Sequence, residues 1–399
     1  MPDVGENKGV WENNRHPTKP LITISEPILR WAMNRSGRGV DDLQHTLPKL
    51  SKWLKGEIRP TLRELERLAK ATSTPLGFFF LPEPPTERLS IPHFRTISNQ
   101  LPDQQPSPNL IETTQLMERR QDWLREYLLE QGHKPLSFVR SAHLGVKPEH
   151  VASQMRRTLG LTDTWAAEQP NWTKALQELR IKIEEAGILV VVSSIVGNNT
   201  RRKLDVTEFR GFVLVDEYAP LVFVNGADGK AAQMFTLAHE LAHIWFGKSA
   251  VFDLKELRPA NDEIEKASNR IAAEFLVPAK QLHEFWPTIR KEPEPFQAIA
   301  LHFKVSELVA AYRTLNLGLI KNDDFDEFYH KYESETRVSI KKPEGGDFYA
   351  NQNLRIGRRF AMAVISATRE GSLLYRDAYK LTGLYGETFE EYANSLMLG

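Results

Sequence analysis

The sequence predicts an α+β fold in which a short sheet lies between helical segments. Three runs rich in β-branched and aromatic residues, 188–194, 209–216 and 221–225, are typical of strands. Two long helices follow at 229–246 and 262–276, because apolar residues recur there at the spacing of a helix face. The rest of the chain shows helical periodicity only. We therefore expect one mixed domain flanked by helical regions.

Composition excludes several classes of site. The 399 residues include no cysteine, which rules out disulfides, thiolate metal sites and a cysteine nucleophile. Lys and Arg together number 52, as do Asp and Glu, so there is no overall basic charge for nucleic-acid binding. Residues 1–19 are polar and lack the apolar core of a secretory signal, and no apolar run is long enough for a membrane span. We expect a cytoplasmic protein without membrane association.

The chain is predicted to have four parts. A helical N-terminal domain occupies 21–82, where short helical segments are separated by Gly and Pro. A strap follows at 83–110, because seven prolines fall between Pro82 and Pro108. The mixed domain covers 111–290, and a helical C-terminal region covers 291–399.

Capping residues indicate where several helices begin and end. Ser25 is expected to cap the first helix, which ends near Gly37. Thr61 is expected to cap a later amphipathic helix in the same domain. Segments 111–131 and 137–159 have apolar residues at helix spacing, so both are predicted to be helical.

A single helix carries residues with metal-binding chemistry. His239 and His243 are four residues apart, so a helix places both imidazoles on one face, at a spacing that tetrahedral zinc accepts. Glu240 follows His239, where its carboxylate can reach a water on the metal without being a ligand. Residues 234–238 and 244–246 are almost entirely apolar, which predicts a buried helix. Polar groups buried in such a helix need partners.

A catalytic zinc takes three protein ligands and leaves one position open, and a later helix is expected to supply the third. Glu265 is the best candidate, because it lies on an apolar-periodic helix 22 residues after His243. Glu263 is the alternative, since the sequence does not fix the rotation of this helix. Asn269 lies one turn after Glu265 and can hold one of the histidines by a hydrogen bond. We therefore expect Zn²⁺ as the cofactor.

Two other interpretations stay open. The His-Glu-x-x-His pattern occurs by chance on solvated helices, and a genuine zinc site can be structural. The position of Glu240 beside two histidines and a glutamate favours a catalytic site. Glu240 then takes a proton from the water that attacks a peptide carbonyl and passes it to the leaving amine. Tyr218 and Arg210 are candidate donors to the oxyanion.

The sequence around these residues resembles a known family. Segments 209–212, 219–228 and 235–247, continued by 269–278, are similar to the ImmA/IrrE-type zinc peptidases. The resemblance implies a gluzincin-like fold in which Glu265 is the third zinc ligand. Known members of that family regulate by cleaving a DNA-binding repressor. The resemblance therefore implies a site-specific regulatory metallopeptidase that cleaves a repressor or partner protein.

The N-terminal domain resembles Xre-type helix-turn-helix domains through residues 56–61 and the helix that follows. It departs from that family at 44–49, where the stretch between the second and third helices is shortened. Residues 21–82 carry ten Lys or Arg against six Asp or Glu, a net charge of +4 that suits a local phosphate-binding face. The alternative is a helical bundle that packs on a partner or on the peptidase domain. The candidate DNA contacts are Lys49, Lys52, Lys55 and Arg59.

The whole layout is similar to bacterial proteins encoded beside PIN-like toxins, which implies a second hypothesis. The protein is then an antitoxin-like transcriptional regulator that binds DNA and a toxin, with a structural or vestigial zinc site. Expected partners are a protein substrate or a toxin, and the protein's own promoter DNA. The expected assembly is a homodimer or a hetero-complex.

If the chain is a peptidase, strand 209–216 or strand 221–225 is expected to form the rim of the cleft and to pair with extended substrate.

Overall fold

The structure is a computed structural model that describes residues 20–87, 89, 106–252, 263–336 and 348–398. Residues 1–19, most of the predicted strap and the polar break at 343–346 lie outside the described part. The chain divides into two compact units. One holds residues 1–88 with 105–108, and the other holds the remainder.

The first unit is a small helical bundle. Its α-helices are α1 Glu26–Ser36, α2 Val40–Gln44, α3 Leu50–Leu54 and α4 Leu62–Ala71, followed by a 3₁₀ helix at Leu76–Phe80. Apolar residues one turn apart fill its core, among them Ile28, Leu29, Leu50, Leu65, Leu68 and Phe79.

Two predicted helix starts in this unit have different capping chemistry. Thr61 caps α4 as expected: the Glu64 backbone N–H donates to its hydroxyl, and the Glu64 carboxylate accepts from the Thr61 backbone N–H. Ser25 stands at the cap position of α1, but its side chain makes no capping bond and its hydroxyl faces the carbonyl of Pro82 at 3.5 Å. The helix start was therefore predicted correctly and its cap was not.

The second unit is built on a four-stranded sheet with the order β1-β5-β4-β6. Strand β1 pairs with β5 in parallel, whereas β5 with β4 and β4 with β6 are antiparallel. A two-stranded hairpin, β2 and β3, stands apart from this sheet. The strands are β1 Leu189–Ser193, β2 Ile195–Val196, β3 Asn199–Lys203, β4 Gly211–Leu214, β5 Leu221–Asn225 and β6 Ala250–Phe252.

Helices precede, interrupt and follow the strands, which confirms the predicted α+β class. Before the sheet come α5 Pro108–Glu130, α6 Pro148–Thr158 and α7 Trp172–Glu185. Between strands and after them come α8 Lys230–Phe246, α9 Glu263–Leu276, α10 Ala279–Ile289, α11 Pro295–Phe303, α12 Glu307–Asn316, α13 Asn322–Thr336, α14 Phe348–Ile356, α15 Arg358–Arg369, α16 Tyr375–Thr382 and α17 Glu387–Leu398. Among the described residues no helix combines the length and hydropathy that a membrane crossing needs.

The helix predicted over 137–159 is shorter than expected. Only α6 forms, beginning at Pro148, where proline fixes φ at a helical value and needs no hydrogen-bond acceptor. Upstream, Arg140 has φ of 61° and Gly145 has φ of 96°, both in the left-handed region. The periodic apolar residues before Pro148 therefore lie in turns.

The sheet has a helical layer on each face. Alternate strand residues point to one face, where α6, α7, α8 and α9 pack; this set includes Val190, Val192, Val213, Val222 and Val224. The intervening residues meet α5 and the C-terminal helices, in a set that includes Leu189, Val191, Phe212, Leu214, Leu221 and Phe223. The C-terminal helices thus complete the core of the second unit.

Candidate metal centre

The helix α8 carries two of the three candidate ligands through the middle of the second unit. Every residue from Gln233 to Trp245 is buried, because β4, β5, α7 and α9 pack around the helix. His239 and His243 have no exposed surface. The helix ends at Gly247, whose φ of 73° lets the backbone turn away after the second histidine.

The helix α9 packs against α8 and brings Glu265 to the histidines. One carboxylate oxygen of Glu265 lies 3.2 Å from Nε2 of His239, and the other lies 3.1 Å from Nε2 of His243. The two Nε2 atoms are 3.0 Å apart. Ligand atoms about 2.0–2.1 Å from a tetrahedral zinc lie about 3.3 Å from one another, so the spacing of these atoms suits such an ion.

Asn269 decides which nitrogen of His239 faces the centre. Its amide oxygen lies 3.0 Å from Nδ1 of His239 and can only accept, so Nδ1 donates and Nε2 carries a lone pair. This lone pair faces the carboxylate of Glu265. Without a cation between them, lone pairs at this distance repel one another. The donor set therefore fits a divalent metal, as sequence analysis predicted for His239, His243 and Glu265.

Electrostatics support the same assignment. Burial lowers the pKa of His239 despite the opposing effect of Glu265, which keeps the imidazole neutral and able to bind a metal. Burial by itself raises the pKa of Glu265. The two adjacent imidazoles, His239 and His243, outweigh that effect and hold this pKa well below its usual range. The carboxylate ligand is thus ionised.

Glu240 is a buried acid that is not part of the ligand set. Its side chain has no exposed surface, and neither carboxylate oxygen has a hydrogen-bond partner among the described residues. Burial, with the charge of Glu265, raises its pKa well above the usual value. A buried carboxyl without partners is destabilising, so its presence beside a metal centre indicates a chemical role.

The backbone of β4 passes close to the helix α8 at Gly211. A Cβ atom built on Gly211 would lie 2.5 Å from the methyl group of Thr236, 2.8 Å from the carbonyl oxygen of Phe223 and 3.4 Å from Oε1 of Glu240. Only glycine fits here without displacing the strand or the helix. Gly211 was seen in the sequence as part of the family resemblance, but its steric role there was missed.

Sequence reasoning also missed two buried hydroxyl groups near the centre. Thr236, one turn before Glu240 on α8, has no exposed surface, and its hydroxyl lacks a partner within the described ranges. The same holds for Ser268, which directly precedes Asn269 on α9. Serine and threonine are common in helices, so neither carried a signal of its own.

Other candidates do not join the centre. Glu263, the alternative ligand, is exposed on the first turn of α9. Arg210 is paired with Asp228, with 2.5 Å between Nη1 and the carboxylate. Tyr218 lies in the turn between β4 and β5, at the opposite end of β4 from Gly211. The structure therefore gives no contact between either expected oxyanion donor and the described residues of the centre.

The prediction that β4 or β5 forms the rim of a cleft is wrong. Both strands are fully buried and lie inside the sheet, each paired on both sides, so neither backbone can add a peptide strand. The edge beside β4 is taken by β6, which follows the helix that carries the histidines.

The candidate DNA contacts lie in the first unit. Lys52, Lys55 and Arg59 are exposed on and after α3. Lys49, at the start of α3, instead pairs with Glu64, with 3.0 Å between its ammonium group and the carboxylate. The helix α3 is only five residues long and begins directly after the shortened stretch 44–49.

Comparison with known proteins gives two family matches. Residues 183–315 match the Peptidase M78 family model, described as the IrrE N-terminal-like domain. This segment spans β1 to α12 and holds every residue of the candidate metal centre, so the match supports an ImmA/IrrE-type peptidase domain. Residues 356–395 match a domain of unknown function (DUF8813). No curated protein and no solved structure matches the chain.

Metal content tests the ligand set. We expect the purified protein to hold about one zinc per chain, and His239→Ala, His243→Ala and Glu265→Ala each to lower that occupancy, since each removes one of three ligands. Elemental analysis after exhaustive dialysis measures it. Glu263→Ala is the matched control, because it removes an exposed carboxylate two residues from the ligand. Full occupancy in Glu265→Ala would contradict the ligand set.

Proposed function

We propose that this protein is a site-specific regulatory zinc metallopeptidase that cleaves a repressor or partner protein. The observation that carries the proposal is Glu240, a fully buried carboxyl without partners in the described structure, one residue from His239. A structural zinc site needs only its ligands. A hydrolytic site also needs a base, and Glu240 is placed to serve as one, since the charge of a zinc ion bound nearby would oppose the burial that raises its pKa.

The residues of the centre have different roles in the proposed reaction. Zinc bound by His239, His243 and Glu265 would supply a Lewis acid that polarises a peptide carbonyl and activates water. Asn269 holds the ring of His239 in the orientation and tautomer that ligation requires. Glu240 receives a proton from the attacking water and gives it to the departing amide nitrogen.

The likeness of residues 183–315 to the IrrE N-terminal-like domain supports a protein substrate. An extended peptide binds a sheet by pairing with a free edge. Since β4 and β5 are internal, we propose that β6 offers this edge on the side of the sheet beyond β4.

The experiment compares protein cleavage by wild type and Glu240→Gln. Zinc-loaded protein is added to an extract of its host, and new protein N-termini are identified by mass spectrometry. A regulatory peptidase should create one or a few N-termini that are absent with Glu240→Gln. Identical sets of N-termini from the two proteins would contradict peptidase function.

A second candidate function rests on the separate helical unit with exposed Lys52, Lys55 and Arg59. Here the protein is an antitoxin-like regulator that binds its own promoter and a toxin, in a homodimer or a hetero-complex, and the zinc site is structural or vestigial. The two functions differ in one respect. Glu240→Gln abolishes the first and leaves the second intact.

DNA binding by the first unit should be weak and steeply dependent on salt. Phosphate contacts by Lys and Arg release counterions, and α3 is too short for extensive base contact. We expect Lys52→Glu with Lys55→Glu to abolish binding to the promoter region at low salt, as measured by mobility shift, without a change in zinc content. Arg67→Glu with Lys70→Glu has the same charge change on α4 and is the control. Equal shifts for wild type and the Lys52/Lys55 variant would favour a docking unit for a protein partner.

A further inference from the structure

A pocket of about 430 Å³ lies on the second unit, away from the metal centre. Its walls come from α6, from the turn around residue 138 and from Trp245 at the end of α8. Trp245 is two residues after His243. Two residues of an α-helix correspond to a rotation of about 200°, so the two side chains point in nearly opposite directions. The pocket and the metal ligands therefore occupy opposite faces of one helix. The pocket is shallow and largely open to solvent, so a ligand there stays partly exposed.

The polar groups that line the pocket suit an anion. Arg157 reaches it from α6, and its guanidinium makes no ion pair or hydrogen bond with any other described residue. The preceding Arg156, by contrast, is buried, salt-bridged to Asp163 and bonded to two backbone carbonyls. The described residues that line the pocket include no Asp or Glu, whereas Ser137 and Thr158 are among them. A guanidinium among hydroxyl donors is a typical arrangement for binding a carboxylate or phosphate.

The apolar part of the pocket is aromatic. The ring of Phe138 stacks on that of Trp245, with centroids 4.6 Å apart and planes 20° from parallel. Trp245 is almost fully buried beneath this contact, and Phe138 is partly exposed to the pocket. A flat apolar group can lie against Phe138 and extend the stack.

The same turn holds the end of α8. The backbone N–H groups of Arg140 and Ala142 donate to the carbonyls of Ile244 and Trp245, at 3.0 and 2.9 Å. These carbonyls belong to the last turn of the helix, and that of Ile244 also accepts from the Gly247 backbone N–H at 3.1 Å. A molecule in the pocket therefore touches both the helix that carries the metal ligands and the turn that caps it.

We propose that this pocket binds a small anion with a planar apolar group, such as an aromatic carboxylate. The carboxylate pairs with Arg157, and the ring lies on Phe138. Occupancy stabilises the turn 138–142 on the C-terminal end of α8. Binding requires neither a metal ion nor peptidase activity, so it is tested separately from the proposed function.

Saturation-transfer NMR on the full chain tests this with three probes at millimolar concentration. Benzoate carries both required groups, benzamide is its neutral counterpart, and inorganic phosphate is an anion without a ring. We expect saturable binding of benzoate, with benzamide and phosphate each weaker by roughly tenfold or more. Equal affinity for benzoate and benzamide, or for benzoate and phosphate, would overturn the proposal, as would the absence of saturable benzoate binding.

Arg157→Gln should weaken benzoate binding by roughly tenfold to a hundredfold, because it removes a charged hydrogen-bond donor. Arg157 is exposed on α6, so this variant should fold normally. Arg201→Gln is the matched control, since Arg201 is an exposed arginine on β3, outside the pocket. Unchanged benzoate affinity in Arg157→Gln contradicts the proposal.

Discussion

Glu240→Gln should keep its zinc and lose about 10²- to 10⁴-fold in the rate of peptide cleavage, the usual contribution of a general base. Glutamine has nearly the same size as glutamate and fits the space beside Gly211, but it cannot accept the proton of an attacking water. The metal should remain, since the ligand atoms belong to His239, His243 and Glu265. The measurement is single-turnover cleavage of the identified substrate, with zinc content determined on the same sample.

Glu263→Gln is the control for this change. Glu263 is exposed on the first turn of α9, so the same substitution there leaves both the centre and the rate unaltered. A Glu240→Gln variant that cleaves at the wild-type rate would exclude Glu240 as the base. Loss of zinc in that variant would instead indicate that Glu240 is a ligand.

Glu274→Ala should lower the free energy of unfolding of the second unit by about 3–5 kcal/mol, the usual cost of leaving one member of a buried ion pair alone. Glu274 and Arg313 are about 4% and 5% exposed and form an ion pair that joins α9 to α12. Glu274 also accepts hydrogen bonds from the Ala279 backbone N–H, and Arg313 donates to the carbonyl of Val277. Removal of the carboxylate leaves a buried guanidinium without the partner of its ion pair.

Chemical denaturation of zinc-loaded protein measures this effect. Glu284→Ala, which removes an exposed carboxylate from α10, should change stability by less than about 0.5 kcal/mol. The double variant Glu274→Leu with Arg313→Met should recover much of the loss, because apolar groups of similar size can replace a buried pair. A Glu274→Ala variant as stable as the Glu284→Ala control would mean that the pair contributes nothing.

The metal centre was predictable because helix geometry alone brings its parts together. Residues four apart must share a face, so His239 and His243 were paired without knowledge of the fold. The choice between Glu265 and Glu263 depended on the rotation of α9, which packing against α8 determines. The burial of the Thr236 hydroxyl and the steric role of Gly211 became visible only when strand and helix were placed together.

The arrangement of the strands was harder to predict than their positions. The uninterrupted apolar residues of β4 and β5 are typical of strands inside a sheet, a signal that argued against a role at the rim. Pairing order depends on contacts between distant segments, and no local pattern encodes it. The same limit applies to the C-terminal region. Its helices were predicted, but periodicity does not identify the surface that an apolar helix face covers.

The packing of the C-terminal helices on one face of the sheet has a consequence for biosynthesis. Trp123 on α5 packs edge-on against Phe360 on α15, with ring centroids 5.6 Å apart, although 237 residues separate them along the chain. A ribosome adds about 5–20 residues per second, so roughly 10–50 s pass between the synthesis of these two side chains. The sheet is complete only once β6 has been made, so its apolar face has no cover from α15 during the last roughly 5–20 s of that interval. The unit that holds the metal ligands therefore reaches its final packing only after residue 396 has emerged.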